Sequence, residues 1–336
     1  MIHCFCPPSG KYSTRFLRYI MESKLLIVNL NLAVAKTAAV PSLRKGKIYR
    51  LSDVETLAGG KGVNVARVLS SFGVKPLVAG LVAGHNGRWI TEALSCEGFE
   101  SVCVPYSPGE SRVCYTIADS SDGVATDFNE EGSPVPRSAQ KKFLTLFPGL
   151  LKGCGFAAFS GRICSGMAAD YFAKLITVAR RHRVLTALDT SGAPLREAVK
   201  AGPSLFKMNR EEFFEASGEK LSPRAVVRFF RKVLRYGTEY VIVTDGPRPA
   251  WAVTPQNLWK FTPPKIKVVS AVGAGDSFMA GLLYGFASGR SRQECVRLAI
   301  GAASSDCMSL GAGAVDKRQC FEFARKAAIK RLALGD

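Results

Sequence analysis

Short β-branched runs alternate with longer amphipathic runs along most of this chain, and that alternation constrains the fold more than any other feature. Leu25–Leu30 reads as a strand, Val63–Ser71 as a helix, Pro76–Leu81 as a strand and Trp89–Glu97 as a helix. After a central stretch the pattern returns. Strands are expected at Phe156–Ser160, Val184–Asp189, Leu205–Met208 and Tyr240–Thr244, with helices at Ala168–Arg181 and Pro223–Tyr236. Strands separated by helices imply an α/β fold, a mostly parallel sheet covered on both faces. Ser277–Ala287 and Arg292–Ser305 read as adjacent helices that close it.

Two stretches, about residues 31–57 and 102–136, interrupt the alternation. In the second, Arg112–Ile117 and Val124–Phe128 flank Ser120-Ser121-Asp122-Gly123 as the arms of a hairpin would. Neither has the apolar content for its own core, so both are expected to form a lid over one edge of the main sheet. The first twenty residues carry Lys11, Arg15 and Arg18 with no acid and precede Met21. Residues 1–22 are therefore expected outside the fold, as an upstream translation start or a transit peptide, leaving 23–336 as one domain.

Composition removes several classes of function. At 336 residues, 47% hydrophobic and 22% charged, the chain is neither disordered nor fibrous. Its ten cysteines form no C-x-x-C pair, so neither a zinc site nor a disulfide framework is indicated, and a reducing cytoplasm fits. His3, His85 and His182 show no partner spacing. No apolar run approaches the roughly 20 residues of a membrane span. Forty-six basic against 27 acidic residues give a net charge of +19, which suits phosphorylated small molecules or nucleic acid. The basic residues are scattered. One cluster (Lys317, Arg318, Arg325, Lys326, Lys330, Arg331) reads at helical spacing as a solvated face, so nucleic acid is not the expected partner.

Three segments could carry chemistry. Val272-Gly273-Ala274-Gly275-Asp276-Ser277 is a small-residue turn leading into a helix, where backbone amides of residues 273–276 could meet an oxyanion. Asp276 there is either a base for a hydroxyl proton or simply a helix N-cap. Gly59-Gly60-Lys61-Gly62-Val63-Asn64 lacks P-loop and dinucleotide spacing. Its glycines admit a ligand close to the backbone, with Lys61 and Asn64 as polar contacts; the alternative is an ordinary strand-to-helix turn. Lys207-Met208-Asn209-Arg210-Glu211-Glu212 follows a strand and places Asn209 and Glu212 three apart, as water-mediated magnesium ligands or as a cap.

In this order the three segments resemble the ribokinase-like, or PfkB, carbohydrate kinases, in particular the 1-phosphofructokinase and tagatose-6-phosphate kinase branch. Asn29-Leu30-Asn31, Thr126-Asp127-Phe128-Asn129 and Ser160-Gly161 add to the likeness, which runs from about Leu25 to Asp316. The resemblance implies a three-layer α/β/α sandwich with a β-lid. It also implies ATP-dependent phosphorylation of a primary hydroxyl of a phosphorylated ketohexose, fructose 1-phosphate first, then tagatose 6-phosphate or fructose 6-phosphate. Asp276 would be the base, and Gly273, Ala274 and Gly275 the anion hole. Asn31, Gly60, Lys61, Gly62, Asn64, Arg112, Asn129, Ser160, Gly161 and Arg162 would meet the sugar phosphate. Lys207, Asn209, Thr244 and Gly246 would meet ATP, with Asn209 and Glu212 holding Mg2+ through water. A homodimer joined through the lid is implied as well.

Some positions depart from that branch. Ala35 stands where an Asp usually grips sugar hydroxyls, Arg162 and Cys164 replace Ser and Pro, and Pro249 replaces a glycine of the nucleotide loop. Ala35 and Pro249 motivate an alternative, a sugar-phosphate or nucleotide sensor of the same fold with weakened catalysis.

Overall fold

The computed structural model describes residues 23–334, so the expectation for residues 1–22 lies outside the described part. A ten-stranded sheet runs through the molecule. Seven of its strands are parallel, in the order β5 (Glu100–Tyr106), β4 (Leu77–Ala83), β1 (Lys24–Asn31), β8 (Cys154–Ser160), β9 (Leu185–Asp189), β10 (Leu205–Asn209) and β11 (Tyr240–Asp245). Three antiparallel strands, β12 (Arg248–Val253), β13 (Leu258–Thr262) and β14 (Ala328–Leu332), extend it beyond β11.

Strand β1 shows why the sheet is covered twice. Leu25 and Ile27 enter one core while Leu26, Val28 and Leu30 enter the other, the period-two alternation of a strand buried on both faces. The first core takes α1 (Lys61–Ser71), α2 (Gly84–Cys96), α8 (Ala274–Ala287), α9 (Arg292–Asp306) and α10 (Lys317–Lys326). The second takes α3 (Arg137–Leu150), α4 (Tyr171–Arg181), α5 (Gly192–Lys200), α6 (Arg210–Ser217) and α7 (Pro223–Leu234). The three-layer α/β/α arrangement follows, as expected.

The lid is a second sheet, β3 (Glu55–Gly59), β2 (Ala33–Val40), β6 (Arg112–Asp119) and β7 (Ala125–Asn129). Only Leu32 separates β2 from β1, so the lid grows directly from a strand of the parallel sheet. The lid portion of the second interrupting stretch begins later than residue 102. Residues 100–106 pair in parallel with β4, because the core needs an outer strand there, and the lid portion starts at Arg112.

The basic cluster near the C-terminus also differs from its helical reading. Helix α10 stops at Lys326, Ala327 turns extended, and Lys330 and Arg331 lie on β14, paired in register with β13. The open edge of β13 supplies ladder hydrogen bonds that outweigh local spacing, and the two cations keep the new edge soluble.

Candidate active site

The parallel strands leave β1 in opposite directions: β4 follows on one side and β8 on the other. Such a switch point opens a crevice at the carboxyl ends of the strands. Asn31, Ser160, Asp189, Asn209 and Asp245 terminate β1, β8, β9, β10 and β11 there. Register brings Ser160 beside Asp189 and Asn209 beside Thr244.

The glycine-rich segment is shaped by Asn29, a buried polar residue inside an apolar strand. Its Oδ1 accepts the Gly62 amide at 2.6 Å. A Cβ on Gly60 would stand 2.6 Å from the Asn29 amide nitrogen, and one on Gly62 would stand 2.6 Å from its Cβ, so neither position has room for a side chain. Gly60 also has φ +121°, where L side chains are rare. From this turn α1 projects Lys61 and Asn64 into the crevice.

Asp276 meets Asn64 there. The Asn64 side-chain amide donates to Asp276 Oδ2 at 2.8 Å, and the carboxyl is 5% exposed. The N-cap of α8 is Gly273, with φ +86°, and no side chain caps this helix; the Ala274 amide meets the Ala271 carbonyl at 3.3 Å, and the amides after it in the first turn are left for an anion. Asp276 is thus not the cap but a first-turn acid turned toward Asn64. Burial pushes its carboxyl up to about 7 against the pull of Lys61, with Asp189 adding to the rise and Asn64 and Lys207 opposing it.

Asp189 ties the two halves together, and sequence reasoning did not single it out. Lys207 Nζ donates to its Oδ2 at 3.0 Å, and Lys61 Nζ lies 3.8 Å from its Oδ1. Burial opposes ionisation of Asp189, but Lys207 and Lys61 outweigh it and hold the carboxyl below the usual range. In return the charge of Asp189, against burial, holds the Lys61 ammonium above its ordinary value. A Cβ on Gly275 would stand 2.9 Å from Lys207 Nζ, so this ammonium sits at the mouth of the α8 turn. The available signal was an acid closing an apolar parallel strand.

Asn209 and Glu212 form a reciprocal capping box: the Glu212 amide donates to Asn209 Oδ1 and the Asn209 amide to Glu212 Oε2, both at 2.8 Å. The cap reading is therefore correct, and it leaves Glu212 Oε1 outside the box. Burial and the charge of Asp189 push this acid up against the pull of Lys207, the Asn209 amide and Lys61. The oxygen outside the box is the kind of donor that meets the water shell of a magnesium ion.

Ser160 and Gly161 adjoin this cluster, and the other expected residues lie around it. Gly161 adjoins Lys61, 3.5 Å from its Cβ to a Cβ built on the glycine, and Ser160 Oγ is buried without a hydrogen-bond partner. Arg112 opens β6 with its Nε buried and unpartnered. The Asn31 amide reaches the Ile163 carbonyl at 3.4 Å. Arg162 is exposed, 3.4 Å from Glu131, and Asn129 is exposed on the lid. The Thr244 hydroxyl reaches the Met208 carbonyl at 3.4 Å, while Gly246 lies on an open turn with nothing near a built Cβ. Asp245 beside it is held by Arg210 and Arg248. Pro249 falls where the β11–β12 register shifts, so its missing amide costs no ladder bond there.

A crevice at the strand ends with a buried acid beside helix-start amides is an arrangement that can serve phosphoryl transfer to an alcohol. Comparison with known families matches residues 27–318 to the pfkB family carbohydrate kinases, and the chain belongs to that family. It is a carbohydrate kinase, with ATP as the co-substrate this family implies. Similar solved structures include one described as a possible 1-phosphofructokinase from Thermotoga maritima, with TM-score 0.85, 21% identity, and coverage of 92% of this chain and 100% of that one. Phosphofructokinase-2 from Escherichia coli, in complex with fructose-6-phosphate, has TM-score 0.81 and 20% identity, covering 90% and 99%.

Proposed function

We propose that the protein transfers the γ-phosphoryl group of ATP to a primary hydroxyl of a phosphorylated ketohexose, with fructose 1-phosphate the leading acceptor and tagatose 6-phosphate and fructose 6-phosphate next. The observation that carries this reading is the buried Asp276 carboxyl, held by Asn64 beside the uncapped start of α8. The phosphofructokinase neighbours and the unpartnered Arg112 Nε support a phosphorylated acceptor.

Asp276 takes the hydroxyl proton as the alcohol oxygen bonds to the γ-phosphorus. The bond to the ADP oxygen breaks, and ADP leaves with that electron pair. A carboxyl near 7 is suited to this exchange at neutral pH, since it is basic enough to accept and still largely ionised above that value. The amides of Gly273, Ala274 and Gly275 stabilise the transferring group, and Lys207 offers its ammonium beside them. Asn209 and Glu212 would hold Mg2+ through water. When bound, the ion neutralises charge on the nucleotide phosphates.

The test is turnover of purified protein with ATP and a panel of sugar phosphates and free sugars. Phosphorylation confined to ketohexose phosphates supports the reading. Binding of these ligands without turnover of any acceptor would favour the sensor alternative, which Ala35 motivates. Ala35 packs against Gly59, and its methyl supplies no acceptor for sugar hydroxyls. We also propose a homodimer through the lid, where Tyr115 and Phe128 pair across β6 and β7 and are 38% and 56% exposed. A monomer in light scattering at micromolar concentration would refute that.

A further inference from the structure

A second buried carboxylate lies beneath the anion-binding turn, and the reaction above does not use it. Asp306 ends α9 with 0% exposure. Its Oδ1 accepts the Ala314 amide at 2.9 Å, whereas its Oδ2 makes no hydrogen bond of ordinary length. That oxygen is turned toward Gly273, with the Ser277 hydroxyl acting on the same carboxyl. A Cβ built on this glycine would stand 2.9 Å from Asp306 Oδ2 and 2.6 Å from the Ala312 Cβ. The Gly273 carbonyl in turn accepts the Ser277 amide at 2.9 Å, and the Val269 and Ser270 amides donate to the Cys307 carbonyl at 2.8 and 3.2 Å. The end of α9, the segment 311–314 and the start of α8 therefore meet at one carboxyl.

Its surroundings are poor in compensating charge. Burial pushes Asp306 up to about 6 against the Ser277 hydroxyl and the Ala314 and Gly313 amides. The titratable and charged groups on the elements packed around it are the neighbouring Cys307, Asp276 on α8, Lys207 under Gly275, Glu55 beside Gly311 and Arg67 beside Gly313. The Arg67 guanidinium is committed to Glu97 at 2.8 Å. A negative charge under a turn that receives an anion opposes that anion strongly in a low-dielectric interior.

We propose that Asp306 is a positioning residue for phosphoryl transfer: it clamps the Gly273 turn onto the 311–314 segment, and it carries a proton while the γ-phosphoryl group occupies the turn. This rests on the kinase reading in one respect, that the γ group enters here. A charge-neutral clamp keeps the first amides of α8 aimed without repelling the ligand.

ATP and ADP affinities of the full chain, measured by calorimetry from pH 5.5 to 8.5, test it, because ADP lacks the γ group and serves as the control. Relative to Asp306→Asn at each pH, the wild-type preference for ATP over ADP should fall roughly tenfold as pH rises through the titration of the carboxyl. Asp306→Ala should lose that preference at every pH and bind ADP as wild type does. Equal ATP-to-ADP ratios in wild type and Asp306→Asn at every pH would overturn the inference, even if the alanine variant fails to fold. Failure of the wild type to bind either nucleotide would instead overturn the kinase reading, and this proposal with it.

Discussion

Asp276→Asn should stabilise the ligand-free protein at alkaline pH while removing its activity. Burial raises the Asp276 carboxyl to about 7, so the folded chain holds this proton more tightly than the unfolded chain does. The stability tied to that proton is fully present below the ordinary carboxylate range and is lost as pH climbs through about 7. Above that point the buried charge costs at most about 4 kcal/mol. Asparagine keeps the shape, has no charge to bury, and can turn its carbonyl oxygen toward the Asn64 amide. With allowance for imperfect refitting, a net gain of roughly 1–3 kcal/mol remains, or about 3–8 °C in melting temperature. Differential scanning calorimetry of both proteins at pH 8 and pH 5 decides it. The gap should be present at pH 8 and should close at pH 5. A variant less stable than wild type at pH 8, or a gap of equal size at both values, would refute the reasoning.

Asn64→Ala removes the donor that favours ionised Asp276, so the acid limb of the kcat/KM profile should move up by about one pH unit; an unmoved limb would contradict this. Lys207→Met leaves Asp189 buried with only the Lys61 ammonium 3.8 Å away, and should cost about 3–5 kcal/mol in urea unfolding. Adding Asp189→Asn should recover most of that loss, and an additive double variant would argue against the coupling. Arg112→Ala should raise KM for the sugar phosphate roughly tenfold or more while leaving KM for ATP unchanged; equal effects on both substrates would remove Arg112 from the acceptor site.

Much of the fold was readable because buried parallel strands are continuous apolar runs, as in Leu25–Leu30 and Tyr240–Thr244. What was not readable has physical causes. Helix α3 places Ala139, Phe143 and Phe147 at helical spacing, but Pro148 near its end interrupts the pattern. Strands β12 to β14 mix Trp251, Lys260 and Lys330 at opposed positions, and the last pairs only because β13 offers an open edge. In the site, the glycine motifs stood out because Asn29, Ala312 and Lys207 crowd Gly60, Gly273 and Gly275. Asp189 and Asp306 did not, since each gains its role from partners brought close only by the fold: Lys61 and Lys207 for one, Gly273 and Ala314 for the other.

The most direct measurement is single-turnover phosphoryl transfer from ATP to the best acceptor, comparing wild type with Asp276→Asn at pH 8. Transfer should slow by roughly 100- to 10,000-fold in the variant. Equal rates in the two proteins would contradict a proton passing to Asp276.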